Sequence, residues 1–249
     1  MKKIEFFKTA LITVVLLVLV NLLNGQIPDE TFSSDGITGP LPAGFSKHSK
    51  EQQSVALQAD GKILIAGYYR FPDNAMAAAA VRLNSNGSVD NTFGTGGIKI
   101  INFIEDAWAT VILVQPDGKI ILAGTTGAVV NEEDNYYSRY DFFVTRLEAN
   151  SAPDLTFGVK TFHFGIDLNY FSSVACIALQ SDGKIIVGGH GGDDYPSGSK
   201  GAFLMRLSNV GILDNGFSND GIIFNTNDFL QTLNHVQFRL MVKLWHSQH

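Results

Sequence analysis

A thirteen-residue phrase that occurs three times constrains this chain more than any other feature. It reads VALQADGKILIAG at 55–67, ILVQPDGKIILAG at 112–124 and IALQSDGKIIVGG at 177–189. Each copy is an apolar run, a polar turn built on Asp-Gly-Lys and a second apolar run, which is a strong hairpin signal. A second phrase follows each hairpin. It carries Arg82 and then Asp90-Asn91-Thr92-Phe93-Gly94, Arg146 and then Asp154-Leu155-Thr156-Phe157-Gly158, and Arg206 and then Asp214-Asn215-Gly216-Phe217. The Arg-to-Asp interval is eight residues each time, and successive Asp residues are 64 and 60 apart. A period near sixty residues exceeds the helical solenoids and is long enough for a four-stranded unit.

Each unit reads as four strands. The first runs into Gln58, Gln115 or Gln180, and the second follows the Asp-Gly-Lys turn. The third ends at Arg-Leu, over 78–83, 142–147 and 202–207, and the fourth follows the Asp-x-x-Phe corner, over 97–103, 159–164 and 221–224. Tight turns between consecutive strands imply an antiparallel meander. The first two strands are apolar at nearly every position, so both faces of each sheet must be covered. Sheets sandwiched between like sheets, one per repeat, are the blades of a β-propeller. The expected fold is therefore all-β, an incomplete propeller of four-stranded antiparallel blades with about three complete repeats. The composition agrees: of 249 residues 45% are hydrophobic, only 17% are charged and 25 are Gly, a balance that suits turn-rich β structure.

The phrases Q-x-DGK-I-x-x-x-G, RL-x-x-x-G-x-x-D and D-x-TFG-x-x-G together resemble the delta-60 repeat family, over about residues 29–228. That resemblance implies a secreted or surface bacterial tandem-repeat protein of β-propeller form, and it carries over no catalytic residue. The chain departs from the pattern in repeat number and in its second unit, where Asn150-Ser151-Ala152-Pro153 replaces the expected Gly before Asp154.

The two ends of the sequence depart from the repeat. Lys2, Lys3 and Lys8 precede an almost wholly apolar run over 10–23, with a small-residue cutting point at Gly25, the layout of a secretory signal peptide spanning 1–25. Its removal would move the formal charge from −6 to −8. An acidic chain without Lys/Arg clusters argues against nucleic acid as a partner and against docking on anionic lipid. After cleavage no membrane span is expected. The repeats occupy 26–228, with units meeting near 29, 90, 154 and 214, and the N-terminal Asp29-Glu30-Thr31-Phe32 repeats the corner with no strands before it. The next Asp-Gly-Lys is due near 241 and is absent. One permitted coding of 238–245, read two bases later, gives Gln-Thr-Asp-Gly-Lys-Ile-Val-Ala, so residues 229–249 are expected to be an out-of-frame tail on a truncated propeller. An open blade face forfeits about 10 kcal/mol of apolar burial, and such ends are expected to self-associate.

The pairs Arg82/Asp90, Arg146/Asp154 and Arg206/Asp214 recur at fixed spacing. An enzyme site is one unsymmetrical constellation, so they are expected to be structural clamps that tie the third strand to the corner. Cys176, the only cysteine, aligns with Ser54 and Val111 and reads as a buried, inert thiol, with no intrachain disulfide possible. The histidines neither cluster nor recur, and no H-E-x-x-H, G-x-S-x-G or P-loop pattern occurs.

The copies differ most in the segment between the second and third strands, taken as loops over 68–74, 125–141 and 190–200. Corresponding loops of successive blades share one rim. These bring Tyr69 and Asp73, then Glu132, Glu133, Asp134, Tyr136 and Tyr137, then Asp193, Asp194 and Tyr195. Such a rim suits a protein or carbohydrate partner, and its carboxylates offer hard oxygen ligands for Ca²⁺. The resulting expectation is an exported, non-catalytic repeat scaffold with a binding or cell-surface role and no bound cofactor. The rival class is a propeller-type hydrolase or lyase.

Overall fold

The Asp-Gly-Lys turns are three-residue hairpin loops. In the second repeat Gln115 N donates to Lys119 O at 2.8 Å and Gly118 N to Gln115 O at 2.9 Å. Gly118 sits at φ +86, in the left-handed region that a type I turn closed by a bulge needs and that glycine enters without strain. Asp117 Oδ1 accepts from Lys119 N at 3.1 Å and fixes the turn. Asp60 and Asp182 do the same for Lys62 and Lys184.

These hairpins seed the sheets of a computed structural model that describes residues 31–32, 38–47, 54–132, 135–164, 170–193 and 200–225. The chain divides into two compact units, Met1–Gly39 with Asn86–Ser88, and Pro40–Ser85 with Val89–His249. In the first unit a Cβ on Gly87 would come 2.9 Å from the ring of Phe32. The expected signal peptide and out-of-frame tail lie outside the described residues.

Among the described residues the second unit holds thirteen strands. A first blade comprises β1 (Phe45–Ser46), β2 (Val55–Leu57), β3 (Ile63–Arg70), β4 (Met76–Leu83) and β5 (Ile98–Ile101). A second comprises β6 (Ala107–Val114), β7 (Ile120–Glu132), β8 (Asn135–Leu147) and β9 (Val159–Phe162). The third comprises β10 (Tyr170–Leu179), β11 (Ile185–Asp193), β12 (Lys200–Leu207) and β13 (Ile222–Asn225). Within each blade consecutive strands pair antiparallel. β1 and β2 share the role of first strand in blade one, both pairing β3. Blades two and three join through a short parallel contact, Tyr170 beside Arg139 and Phe171 beside Tyr140.

Strand alternation sends side chains to two different interfaces. From β7, Ile120 and Leu122 pack with Leu64, Ala66, Ala78 and Phe93 of the first repeat. Their neighbours Ile121 and Ala123 pack with Val174, Ile177, Val187 and Phe203 of the third. The continuous apolar runs are thus double-faced strands, and blade two is dry on both sides. The recurring glycine that closes the sequence phrase has a steric cause. A Cβ on Gly124 would strike the carbonyl oxygen of Trp108 on the adjoining first strand, and Gly67 and Gly189 meet Ser46 and Ser173 in the same way. The first strands of blades two and three carry a β-bulge at one equivalent place, Ala109/Val111 and Val174/Cys176. There Thr110 Oγ1 donates to Val174 O at 3.2 Å across the two blades. Cys176 is buried beside this bulge.

The third strands begin earlier than the sequence suggests, and one difference matters for function. Residues 125–141 were expected as a loop. Instead β7 and β8 run on as a thirteen-residue-per-strand hairpin paired from Ile120↔Leu147 out to Glu132↔Asn135. The segment continues the ladder because each added pair satisfies two backbone groups that a loop would leave to water.

Candidate binding rim and the repeated ion-pair lock

Two sets of candidate residues lie at opposite ends of the blades. At the hairpin end, Arg146 Nε donates to Asp154 Oδ2 at 2.8 Å, and Lys119 Nζ reaches the same oxygen at 2.7 Å. Asp154 Oδ1 accepts from Thr156 Oγ1 at 2.6 Å and Thr156 N at 3.0 Å. The guanidinium lies over the Phe157 ring, 4.8 Å from its centroid. Its Nη1 donates to the carbonyl of Asn209 at 2.6 Å, in the turn of the following repeat. The first repeat copies this arrangement. Arg82 and Lys62 hold Asp90 Oδ2 at 2.8 and 2.9 Å, and Arg82 Nη1 donates to Ala149 O at 2.8 Å. The lock therefore closes the corner of its own repeat and grips the next one.

Two parts of it escaped the sequence reading. The lysine of Asp-Gly-Lys is a full member, and its constant position in all three phrases was the available signal. The gripped carbonyls of Ala149 and Asn209 are main-chain atoms and leave no side-chain signature. Ser151, which replaces the expected glycine, takes φ 75, and its hydroxyl accepts from Gly94 N at 2.9 Å, a second tie between repeats.

The third lock is looser. Arg206 and Lys184 hold Asp214 Oδ2 at 2.8 and 3.0 Å, but Gly216 stands where Thr92 and Thr156 supply hydroxyls. The Asp214 side chain is 18% exposed, against 5% for Asp90 and 2% for Asp154. Electrostatics follow the geometry. Burial disfavours the charged forms of Asp90 and Asp154, yet hydrogen bonds from Thr92, Lys62, Lys119, Thr156 and Arg146 outweigh it and hold both carboxyls well below the usual range. Asp214 is also lowered, chiefly by its hydrogen bond from Lys184. The hydrogen bond to Asp154 pushes Lys119 upward.

At the other end lies the variable rim. Tyr69 packs against the blade-one cluster and meets Phe71 edge-on at 5.0 Å. Asp73 caps its own turn, its Oδ1 accepting from Ala75 N at 3.1 Å. Glu132 ends β7, Tyr136 and Tyr137 lie on β8 and Asp193 ends β11, so none of these four belongs to a loop. Glu133, Asp134, Asp194 and Tyr195 lie outside the described residues. The structure gathers a different set where blades two and three meet. Trp108 and Tyr140 lie 5.8 Å apart, and His163 and Tyr170 lie 5.5 Å apart. Tyr170 is hydrogen-bonded to Asp141, and burial together with that carboxylate pushes its phenol up to about 12. Trp108, His163 and Tyr170 come from the segments that enter or precede the first strands, which the loop comparison did not cover. Among the described residues no group of three or more His, Cys, Asp or Glu side chains is placed to hold a metal ion, and no helix is long and apolar enough to cross a membrane.

Stacked four-stranded blades, locked at one end and varied at the other, define an all-β partial propeller. The repeats match a sequence family described as "Domain of unknown function (DUF5122) beta-propeller" at residues 58–93, 115–157 and 180–217. Each match runs from the glutamine that ends the first strand to the phenylalanine under the lock arginine. No curated protein matches the chain at a significant level.

Proposed function

We propose that this chain is an exported, non-catalytic scaffold of the delta-60 type that holds a protein or carbohydrate partner on its variable rim. The observation that carries the reading is the division of labour between the two ends. The Arg–Asp–Lys lock recurs in all three repeats with an Nε–Oδ2 distance of 2.8 Å each time, so its charges are committed to structure. The rim differs from repeat to repeat and presents half-buried Trp108, Tyr140 and Tyr170 with Asp141. Rigid aromatic rings beside a carboxylate suit the mixed apolar and hydroxyl-rich surfaces of sugars and proteins. An acidic chain without basic clusters does not suit nucleic acid.

The test replaces residues 129–138 by Asn-Gly, which closes β7 on β8 with a two-residue turn between the paired Ala128 and Arg139. The shortened protein and a Trp108→Ala variant would be compared with the parent on an array of defined oligosaccharides and immobilised extracellular-matrix proteins. Binding lost in both variants, with folding intact by circular dichroism, supports the reading. Binding by neither parent nor variants overturns it.

A further inference from the structure

A groove of about 510 Å³ opens at the hairpin end, away from the aromatic rim. It is lined by the ends of three first strands and their turns, with Leu57, Gln58 and Asp60 from blade one, Leu113 and Gln115 from blade two and Leu179 from blade three. The walls are aliphatic. Among the described residues, β2 pairs only with β3 and β6 only with β7, so each keeps an unpaired edge beside the groove. On β2, Val55 is 50% exposed and Leu57 68%.

Two buried glutamines at this groove have their side-chain oxygens turned away from it. Gln115, itself 92% buried, turns its Oε1 inward, where Arg146 Nη1 donates to it at 3.4 Å. Gln58 is as deeply buried, and its Oε1 is fully shielded without a hydrogen-bond partner. With both oxygens turned inward, the amide nitrogens are the ends left to the groove, and amide nitrogens only donate. The site thus sets these amide ends between aliphatic walls, next to edges of β2 and β6 that no other described strand pairs.

We infer that this groove is a docking site for an extended, uncharged peptide segment with aliphatic side chains. A peptide main chain supplies carbonyls to the glutamine amides and pairs with a free strand edge, while alternate side chains enter the apolar walls. A sugar would want an aromatic platform, and among the described residues no aromatic side chain lines the groove. An anionic ligand would meet Asp60 at the mouth of an acidic chain. Size agrees as well, since the volume falls within the usual range for ligand sites of about 300–1,000 Å³.

The experiment is a titration of the ¹⁵N-labelled full chain with acetyl-Gln-Leu-Gln-Leu-amide, with acetyl-Glu-Leu-Glu-Leu-amide and maltotriose in parallel. Expected are saturable shifts of the Gln58 and Gln115 side-chain amide signals with the neutral peptide, and binding about tenfold weaker or less for the other two probes. Leu57→Asp, at an exposed position where folding is insensitive, should weaken the neutral peptide by about tenfold or more, and Gln58→Leu should weaken it in the same direction. The absence of a saturable shift, equal binding of the acidic peptide or maltotriose, or full binding by Leu57→Asp would each overturn the inference.

Discussion

The two ends of the blades are built on opposite rules. At the hairpin end, one arrangement of Arg, Asp and Lys is copied three times, and in the first two repeats it reaches forward to a main-chain carbonyl of the next. At the rim end, the three repeats share strand pairing but not side chains, and the ring contacts differ from blade to blade, Tyr69 with Phe71 in blade one and Trp108 with Tyr140 and His163 with Tyr170 where blades two and three join. Charge is spent on holding repeats together at one end and is left near the surface at the other. A repeat array needs a constant joint and gains from a variable face, because the joint sets stability through nearest-neighbour contacts while the face sets recognition.

The comparison can be broken first with acid. All three lock carboxyls have folded pKa values below their unfolded ones. Such a group stabilises the fold fully above its unfolded pKa, near 4 for an aspartate. It loses that contribution as the pH falls through that value toward the folded one. The urea midpoint should therefore hold above about pH 5 and drop steeply below about pH 4, with all three locks contributing. A midpoint flat down to about pH 2 would detach the locks from stability.

Single locks come next. Asp154→Ala leaves Arg146 buried without its carboxylate and should cost about 3 kcal/mol in urea unfolding. Its Arg146 would also lose the orientation that grips Asn209, so the damage should extend into the third repeat and show as loss of hydrogen-exchange protection in β12. Asp214→Ala sharpens the contrast within the lock itself. Its side chain is 18% exposed and has no threonine hydroxyl at the position of Thr156, so the cost should be nearer about 1 kcal/mol. Equal costs at 154 and 214 would show that burial does not set the strength of the joint.

Much of this architecture could be read from the sequence because it depends on side chains that repeat. Unbroken apolar runs such as Ile120-Ile121-Leu122-Ala123 require two covered faces, and the structure sends alternate members to two different interfaces. The Arg-to-Asp interval exposed the pairs. The forward grip stayed hidden because Ala149 O and Asn209 O are backbone atoms common to every residue type. The long β7–β8 hairpin was also missed. Its Asn131-Glu132-Glu133-Asp134-Asn135 stretch carries the composition of a loop. The flanking Val129-Val130 and Tyr136-Tyr137 pairs, with high strand propensity, were the signal that favoured extension. The aromatic junction could not be found by comparing equivalent loops, since Trp108 and Tyr170 belong to first strands: Trp108 meets Tyr140 across β7 within blade two, and Tyr170 meets His163 where blade two passes to blade three.

The smallest expected effect on stability falls at that junction, and there the contrast between the ends is clearest. Tyr170→Phe removes the hydroxyl that Asp141 accepts from, while the ring stays beside His163. Asp141 retains its place opposite Thr126 in the ladder. Unfolding should change by under about 0.5 kcal/mol, the range of substitutions away from the packed core. A spectrophotometric titration of the parent should show one tyrosine ionising near 12, absent in the variant. The same variant should weaken any partner that hydrogen-bonds at the rim, since it alters the polar edge of the junction without moving its rings. A loss of stability as large as that of Asp154→Ala would mean that the junction is a second joint and not a face, and the division between the two ends would fail.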